Sequence, residues 1–277
     1  MKKTTISIIA LLLATSLQAI SQEKFTLTYK MEKGKVYRYM SENSYSATQE
    51  MMGNEMTVTG DSKSIIRYET EDVATDGKLT MIVSLEESSV HTNMMGRDTT
   101  IKTTDLLDKK VRQEFSPAGK VLSQTKLDST GGKGAGLSGR MLGDNDLILL
   151  PDKPVAIGEK WTVAGADTTK SEGNETITTY NSDYELVGKE IKNGHDCLKL
   201  TYKKTYEITG KLQQMGMDMF MEGEGDAAGT YWFDVTQGLL IADESTVNQD
   251  ITMAITGQTQ MTIPSSQVIK MSNHLIE

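Results

Sequence analysis

His195-Asp196-Cys197 sets a base, a carboxylate and a thiol side by side, the residue types that nucleophilic catalysis or a metal site would draw on. On an extended strand neighbouring side chains point to opposite faces, so His195 and Cys197 share a side and Asp196 does not. A hairpin turn with a partly buried small thiol fits the pattern better than catalysis. His91 and His274 stand apart from the cysteine, and no Gly-x-Ser-x-Gly elbow, His-Glu-x-x-His pair or phosphate loop occurs. The chain reads as a non-enzyme with no catalytic residues.

Two alternating stretches have the spacing of ion sites. Glu222, Glu224 and Asp226 are separated by Gly223 and Gly225, which on a strand lines three carboxylates along one face, as a hard cation such as calcium requires. A solvated, glycine-loosened strand end whose charge blocks edge pairing is the better account of them. Met215, Met217, Met219 and Met221 put four thioethers on one face, and soft sulfur selects cuprous copper. No histidine or cysteine stands near them, and methionine is an adaptable apolar filler. The methionines, 17 against only four phenylalanines, are therefore read as core or cavity lining, with no metal and no cofactor.

The elements that must carry these residues are strands. Apolar and polar residues alternate with period two through Val36 to Met40, Leu79 to Leu85, Leu198 to Tyr202 and Leu239 to Ile241. Several runs between turn signals exceed ten residues, as from Met56 to Glu71 and from Thr176 to Lys189, and strands that long twist and coil. Asp76-Gly77 and Asn193-Gly194 predict two-residue hairpins, and Met95-Gly96 and Met215-Gly216 mark further turns. Helix is scarce: Thr104 to Lys110 has room for one or two turns, and Gly131 to Gly143 for a short one. The fold class is all-β, mainly antiparallel, as curved sheets or half-barrels.

The segment Leu150 to Trp161, Leu-Pro-Asp-Lys-Pro-Val-Ala-Ile-Gly-Glu-Lys-Trp, holds Pro151 and Pro154, which exclude helix and central strand and predict an ordered extended crossover. The features on its two sides match. Gly34-Lys35-Val36-Tyr37 corresponds to Gly158-Glu159-Lys160-Trp161, and Phe115 to Gly119 corresponds to Phe233 to Gly238. The expected organisation is a first β repeat over 22–130, a glycine-rich connection and crossover over 131–157, and a second β repeat over 158–277.

Residues 1–21 read as a secretory signal. Lys2 and Lys3 precede an apolar run too short to span a bilayer, and Ala19-Ile20-Ser21 predicts cleavage before Gln22. Losing two lysines and no acid takes the net charge from -9 to -11, which argues against nucleic acid or an anionic membrane as partner. With Cys197 as the single cysteine no internal disulfide forms.

The Leu-Pro-Asp-Lys-Pro-Val-x-x-Gly-x-x-Trp stretch, the Met-Met-Gly hairpins and the export signal together resemble an uncharacterised β-rich family of secreted or periplasmic proteins of the Bacteroidetes. That resemblance implies a mostly β envelope protein. The hairpin Asn193 to Leu200 is also similar to hairpins of lipoprotein-carrier-like half-barrels that hold acyl chains. Asp98-Thr99-Thr100, Asp128-Ser129-Thr130 and Asp167-Thr168-Thr169, placed at expected turns, resemble the O-glycosylation acceptors of such bacteria. The resulting expectation is a periplasmic or secreted binding module for an apolar or amphipathic ligand, for instance a lipid or acyl chain. Its ligand face is expected to be lined by Met81, Val83, Leu198, Leu200, Met217 and Met219. A structural or interaction protein of the envelope, with a possible protein partner, is the alternative, and copper binding comes third.

Overall fold

The computed structural model describes residues 23–51, 53–102, 107, 109–127, 147–171, 174–214, 217–256 and 260–276. The signal segment, the glycine-rich connection, Asp128-Ser129-Thr130 and most of Thr104 to Lys110 lie outside them. Among the described residues the chain is entirely strand and connection, with no helix.

In chain order the strands are β1 (Lys24–Phe25), β2 (Val36–Met51), β3 (Asn54–Val73), β4 (Leu79–Met94), β5 (Arg97–Lys102), β6 (Lys110–Phe115) and β7 (Val121–Lys126). The second half continues with β8 (Val155–Ala156), β9 (Lys160–Ser171), β10 (Asn174–Lys192), β11 (His195–Gln214), β12 (Met217–Asp234), β13 (Leu239–Thr256) and β14 (Met261–Leu275). Two antiparallel meanders meet where β14 pairs with β2, so one 12-stranded sheet runs through both halves from β7 at one edge to β9 at the other. β1 and β8 form a separate short ladder.

Strands of 16 to 20 residues reach about 55 to 65 Å at 3.3 Å per residue, far more than one core requires. Only the proximal end, where the turns at Gly77, Gly119, Gly194 and Gly238 lie, is filled. There Met81, Val83 and Phe115 from the first half meet Leu186, Leu198, Leu200, Phe233 and Ile241 from the second in one buried cluster. The cover is irregular chain. Leu27, Tyr29 and Met31 from the amino-terminal segment, and Leu147, Leu150 and Val155 from the crossover, are all buried in the same cluster.

Backbone hydrogen bonds fasten that cover to the turns. Tyr29 N–H donates to the Pro117 carbonyl (2.9 Å), Lys30 N–H to Gly238 (3.0 Å) and Leu150 N–H to Ala118 (2.9 Å). Gly119 is required by two conditions: its φ is +89°, and a Cβ would stand 2.7 Å from the Ile148 oxygen and 2.8 Å from the Tyr29 ring. Leu150 to Trp161 is thus the ordered crossover the prolines imply, docked as part of the core.

Turn chemistry agrees with the glycines in most places. Asn193-Gly194 (φ +50° and +84°) and Met95-Gly96 (φ +53° and +78°) are left-handed pairs of the two-residue hairpin type. Asp76-Gly77 is not. Gly77 N–H donates to the Ala74 carbonyl and Ala74 N–H to Lys78, a longer loop with only Gly77 left-handed. The turns opening each half bond alike: Gly34 N–H donates to Thr70 as Gly158 N–H does to Leu186, and each pair is closed by a return bond. The two acceptor-like tripeptides among the described residues are not in turns, since Asp98-Thr99-Thr100 lies in β5 and Asp167-Thr168-Thr169 in β9.

Candidate functional site

Each cross-strand row of the sheet places side chains from successive strands on one face, and the core-facing rows change character with height. At the upper limit of the core, which Leu186 and Leu200 still belong to, stands a row of Leu186, Leu200, Tyr231, Asp243, Asn273, Ser41 and Ser64. Asp243 is 7 % exposed and receives both Asn273 Nδ2 bonds, at 2.9 and 3.0 Å. Burial pushes its carboxyl up to about 6 despite that donor. Trp161, Tyr184, Tyr202 and Tyr231 stack in series beside it, with ring centres 4.8 to 6.0 Å apart.

Higher on the same face, tyrosines lie across glycines. Tyr202 faces Gly229, Tyr206 faces Gly225, Tyr180 faces Gly165 and Tyr45 faces Gly60. A Cβ on Gly225 would stand 2.5 Å from the Tyr206 ring, so the flat placement of the ring depends on the missing side chain. Tyr206 Oη donates to Gln249 Oε1 (2.9 Å), Gln249 Nε2 to Gln267 Oε1 (2.8 Å), and Gln267 Nε2 to Ser265 Oγ (3.3 Å). Lys204, one pleat below Tyr206, holds its Nζ 4.5 Å from the Tyr180 ring centre and 5.8 Å from that of Tyr206.

Above this polar belt the face of β11 to β14 is apolar. Ile208 and Ile251 begin the band; Met221, Met253 and Ile263 form the next row, and Leu212, Met219, Ile255 and Met261 the last. These side chains are half-buried, apart from the more deeply set Ile263. No residue of the band belongs to the buried proximal cluster in which Leu27 to Met31 and Leu147 to Val155 cover the sheet.

The six residues expected to line a ligand face therefore divide. Met81 and Val83 are wholly buried, and Leu198 and Leu200 are 3 % and 2 % exposed. They belong to the proximal core, because the chain's own amino-terminal segment and crossover cover the face there. A charge at Val83 or Leu200 would sit inside that core, so such a variant would test folding and not ligand binding. Met219 lies on the open band. Met217 pairs with Gln214 at its end, and its side chain is outside the described residues. The expected ligand face left out Met221 and Met253, which are direct cross-strand neighbours, and sequence reasoning passed over Lys204. The signal for Lys204 is in the alternation Leu198, Leu200, Tyr202, Lys204, Tyr206, Ile208, where one cation interrupts an apolar and aromatic face.

The catalytic and ionic candidates separate as well. Cys197 is buried, and burial pushes its thiol up to about 11, away from the reactive thiolate. His195 Nδ1 instead meets Asp234 Oδ2 at 3.2 Å, and Asp234 also accepts the Gln237 N–H in the turn. Glu222, Glu224 and Asp226 face outward, and Glu224 stands directly between Glu207 and Asp250 in an open groove of about 750 Å³. Among the described residues no group of three or more His, Cys, Asp or Glu is arranged to hold a metal ion.

A single long-stranded antiparallel sheet with one filled end defines the class as all-β. No family model and no curated protein matches the chain. Among solved structures it is similar to Neisserial surface protein A, at 6 % identity over 86 % of this chain and 96 % of that one, with a TM-score of 0.23. It is likewise similar to OccK2 of Pseudomonas aeruginosa (6 %, 89 % and 100 %, TM-score 0.30) and to an outer membrane channel from Pseudomonas putida F1 (7 %, 90 % and 98 %, TM-score 0.21). Overlap at this level assigns neither architecture in detail nor activity.

Proposed function

We propose that the protein is an exported, non-enzymatic binding module of the cell envelope that holds an apolar or amphipathic ligand, such as an acyl chain, against the upper part of its inner face. The observation that carries this reading is the Ile/Met band of β11 to β14, apolar over three rows, largely half-buried and outside the proximal core cluster. A sheet face of that composition needs a partner, since packed domains bury such faces against another layer. Methionine suits the task because its unbranched thioether chain adapts to an irregular occupant. Burying ten methylenes gains about 8 kcal/mol before association costs of several kcal/mol, so moderate affinity is expected.

The outward face argues for a watery compartment and against a sheet that crosses a bilayer. At mid-height it carries Glu207, Glu224, Asp226 and Asp250, where a lipid-facing barrel surface would be apolar. With the leader-like residues 1–21 this supports a periplasmic or secreted product beginning at Gln22. The resemblance to the uncharacterised Bacteroidetes family points to the same compartment.

A second reading, an envelope interaction protein, rests on β9. This edge strand of 12 residues pairs only with β10 among the described residues, and its upper part is exposed on both faces. Solvent extraction and mass spectrometry of protein purified from its native envelope separate the two readings. A stoichiometric lipid supports the first. A folded sample that carries no lipid and binds no acyl probe leaves the second.

A further inference from the structure

We propose that β9 is a self-association edge, where a second copy of the chain pairs antiparallel with it and extends the sheet across a two-fold axis at Ala166. This rests on the interaction reading of β9 given above, names its partner, and is independent of what the inner face holds. The ladder between β9 and β10 runs from Lys160 to Ser171 without a register shift. Edges are commonly blunted by brevity, bulges or unpaired charge, and the opposite edge of the sheet has the first two: β7 has only 6 residues, and its ladder with β6 shifts between Glu114 and Phe115. β9 has neither. Thr162 and every residue from Ala164 to Lys170 are exposed, including Gly165, whose whole surface is main chain. Lys160 and Lys170 are compensated within the subunit, by Glu185 Oε2 at 3.3 Å and Glu175 Oε1 at 2.9 Å, so they guard the edge less than unpaired lysines would.

The residues of β9 fit a copy of the same strand, and in one register. A two-fold axis normal to the sheet makes the two strands antiparallel and keeps like faces together, so it passes midway between one residue and its copy. Centring on Gly165 sets Lys160 opposite Lys170, and centring on Asp167 sets that carboxylate opposite itself, both like-charge pairs. Centring on Ala166 pairs all of 161–171 and opposes no like charges. Gly165 then meets Asp167, Ala164 meets Thr168, Val163 meets Thr169 and Thr162 meets Lys170. Since Thr162 pairs with Asp183 and Lys170 with Glu175, the outer row across both subunits reads Asp183, Thr162, Lys170, Glu175, which places each lysine between acids of the two copies. Roughly ten main-chain hydrogen bonds form in this register, two for every second residue pair.

The test is sedimentation analysis of the full exported chain as wild type, Ala166→Lys and Ala166→Glu, with oxidative crosslinking of Ala166→Cys and Thr168→Cys. Wild type should sediment as a dimer at micromolar concentration. Like charges opposed at the axis should weaken association by about fivefold or more in either charged variant, and mixing the two should restore the dimer. Ala166→Cys should crosslink, because directly paired residues bring their Cα atoms within disulfide range. Thr168→Cys should not, since its two copies lie about 14 Å apart in this register. Cys197 is buried and does not compete. A dimer that charge at Ala166 leaves intact, or crosslinking through Thr168 in place of Ala166, overturns the pairing. A wild-type monomer overturns the second copy as occupant and leaves β9 open to a different chain, so the interaction reading itself is still decided by the lipid extraction described above. Crosslinking decides alone if the charged variants fail to fold.

Discussion

Replacing Asp243 by Asn should stabilise the protein at neutral pH and have little effect in acid. The side chain is 7 % exposed, and its carboxyl titrates near 6 in the folded state against an ordinary 3.8. Below the lower value the group is neutral in folded and unfolded chain alike and contributes nothing to the difference. Between the two values the folded state keeps a proton that the unfolded state gives up, so stability falls as pH rises through this window. Above about 6 both states are ionised, and the folded state bears the whole penalty, about 3 kcal/mol. Asparagine has the same shape, cannot ionise, and keeps an oxygen to accept from Asn273, which now bonds both carboxylate oxygens. Allowing for one weaker hydrogen bond, a net gain of about 1 to 3 kcal/mol remains, equivalent to a rise of several degrees in Tm for a chain of this size. Thermal and urea unfolding of both proteins, compared below about pH 4 and above about pH 7, reads it directly. Equal stability at neutral pH, or a deficit in the variant that is larger at neutral pH than in acid, would refute the reasoning.

Gly119→Ala should loosen the core cover, because a left-handed residue would gain a Cβ against Ile148 and Tyr29; a loss of about 2 kcal/mol or more and faster proteolysis near residues 27–31 are expected. Trp161→Ala removes an aromatic that is half-buried and stacked on Tyr184 at 5.5 Å, so a loss of about 3 kcal/mol, the low end for a core aromatic, should appear in urea unfolding. Intact-mass measurement of exported material should give a chain starting at Gln22, and a mature product that retains Met1 to Ser21 would rule out the leader reading.

The all-β class was legible because period-two alternation, scarce helix signals and turn glycines are local properties of the chain. Asn193-Gly194 and Met95-Gly96 announced hairpins in the same way, since only certain residues tolerate positive φ. The prolines of the crossover likewise marked an extended segment. Asp76-Gly77 shows the limit: the same dipeptide serves two loop lengths, and the choice lies in the hydrogen bonds of Ala74 and Lys78.

Alternation tells which residues share a face and says nothing of what covers that face at each height. For this reason Val83 and Leu200 looked like the same kind of surface as Met219, although the first two are core and the last is open band. The difference arises from residues far away in the chain: Leu27 to Met31 and Leu147 to Val155 reach the proximal end of the sheet and stop there. Strand pairing brings Met221 beside Met253 and Tyr206 beside Gly225 and Gln249, because register is set by long-range hydrogen bonds that leave no mark on either strand alone. The types of the residues and the faces they occupy were properties of the sequence. Which of them meet, and which stay uncovered, was decided when 12 strands joined in one sheet and a short irregular segment closed only one end of it.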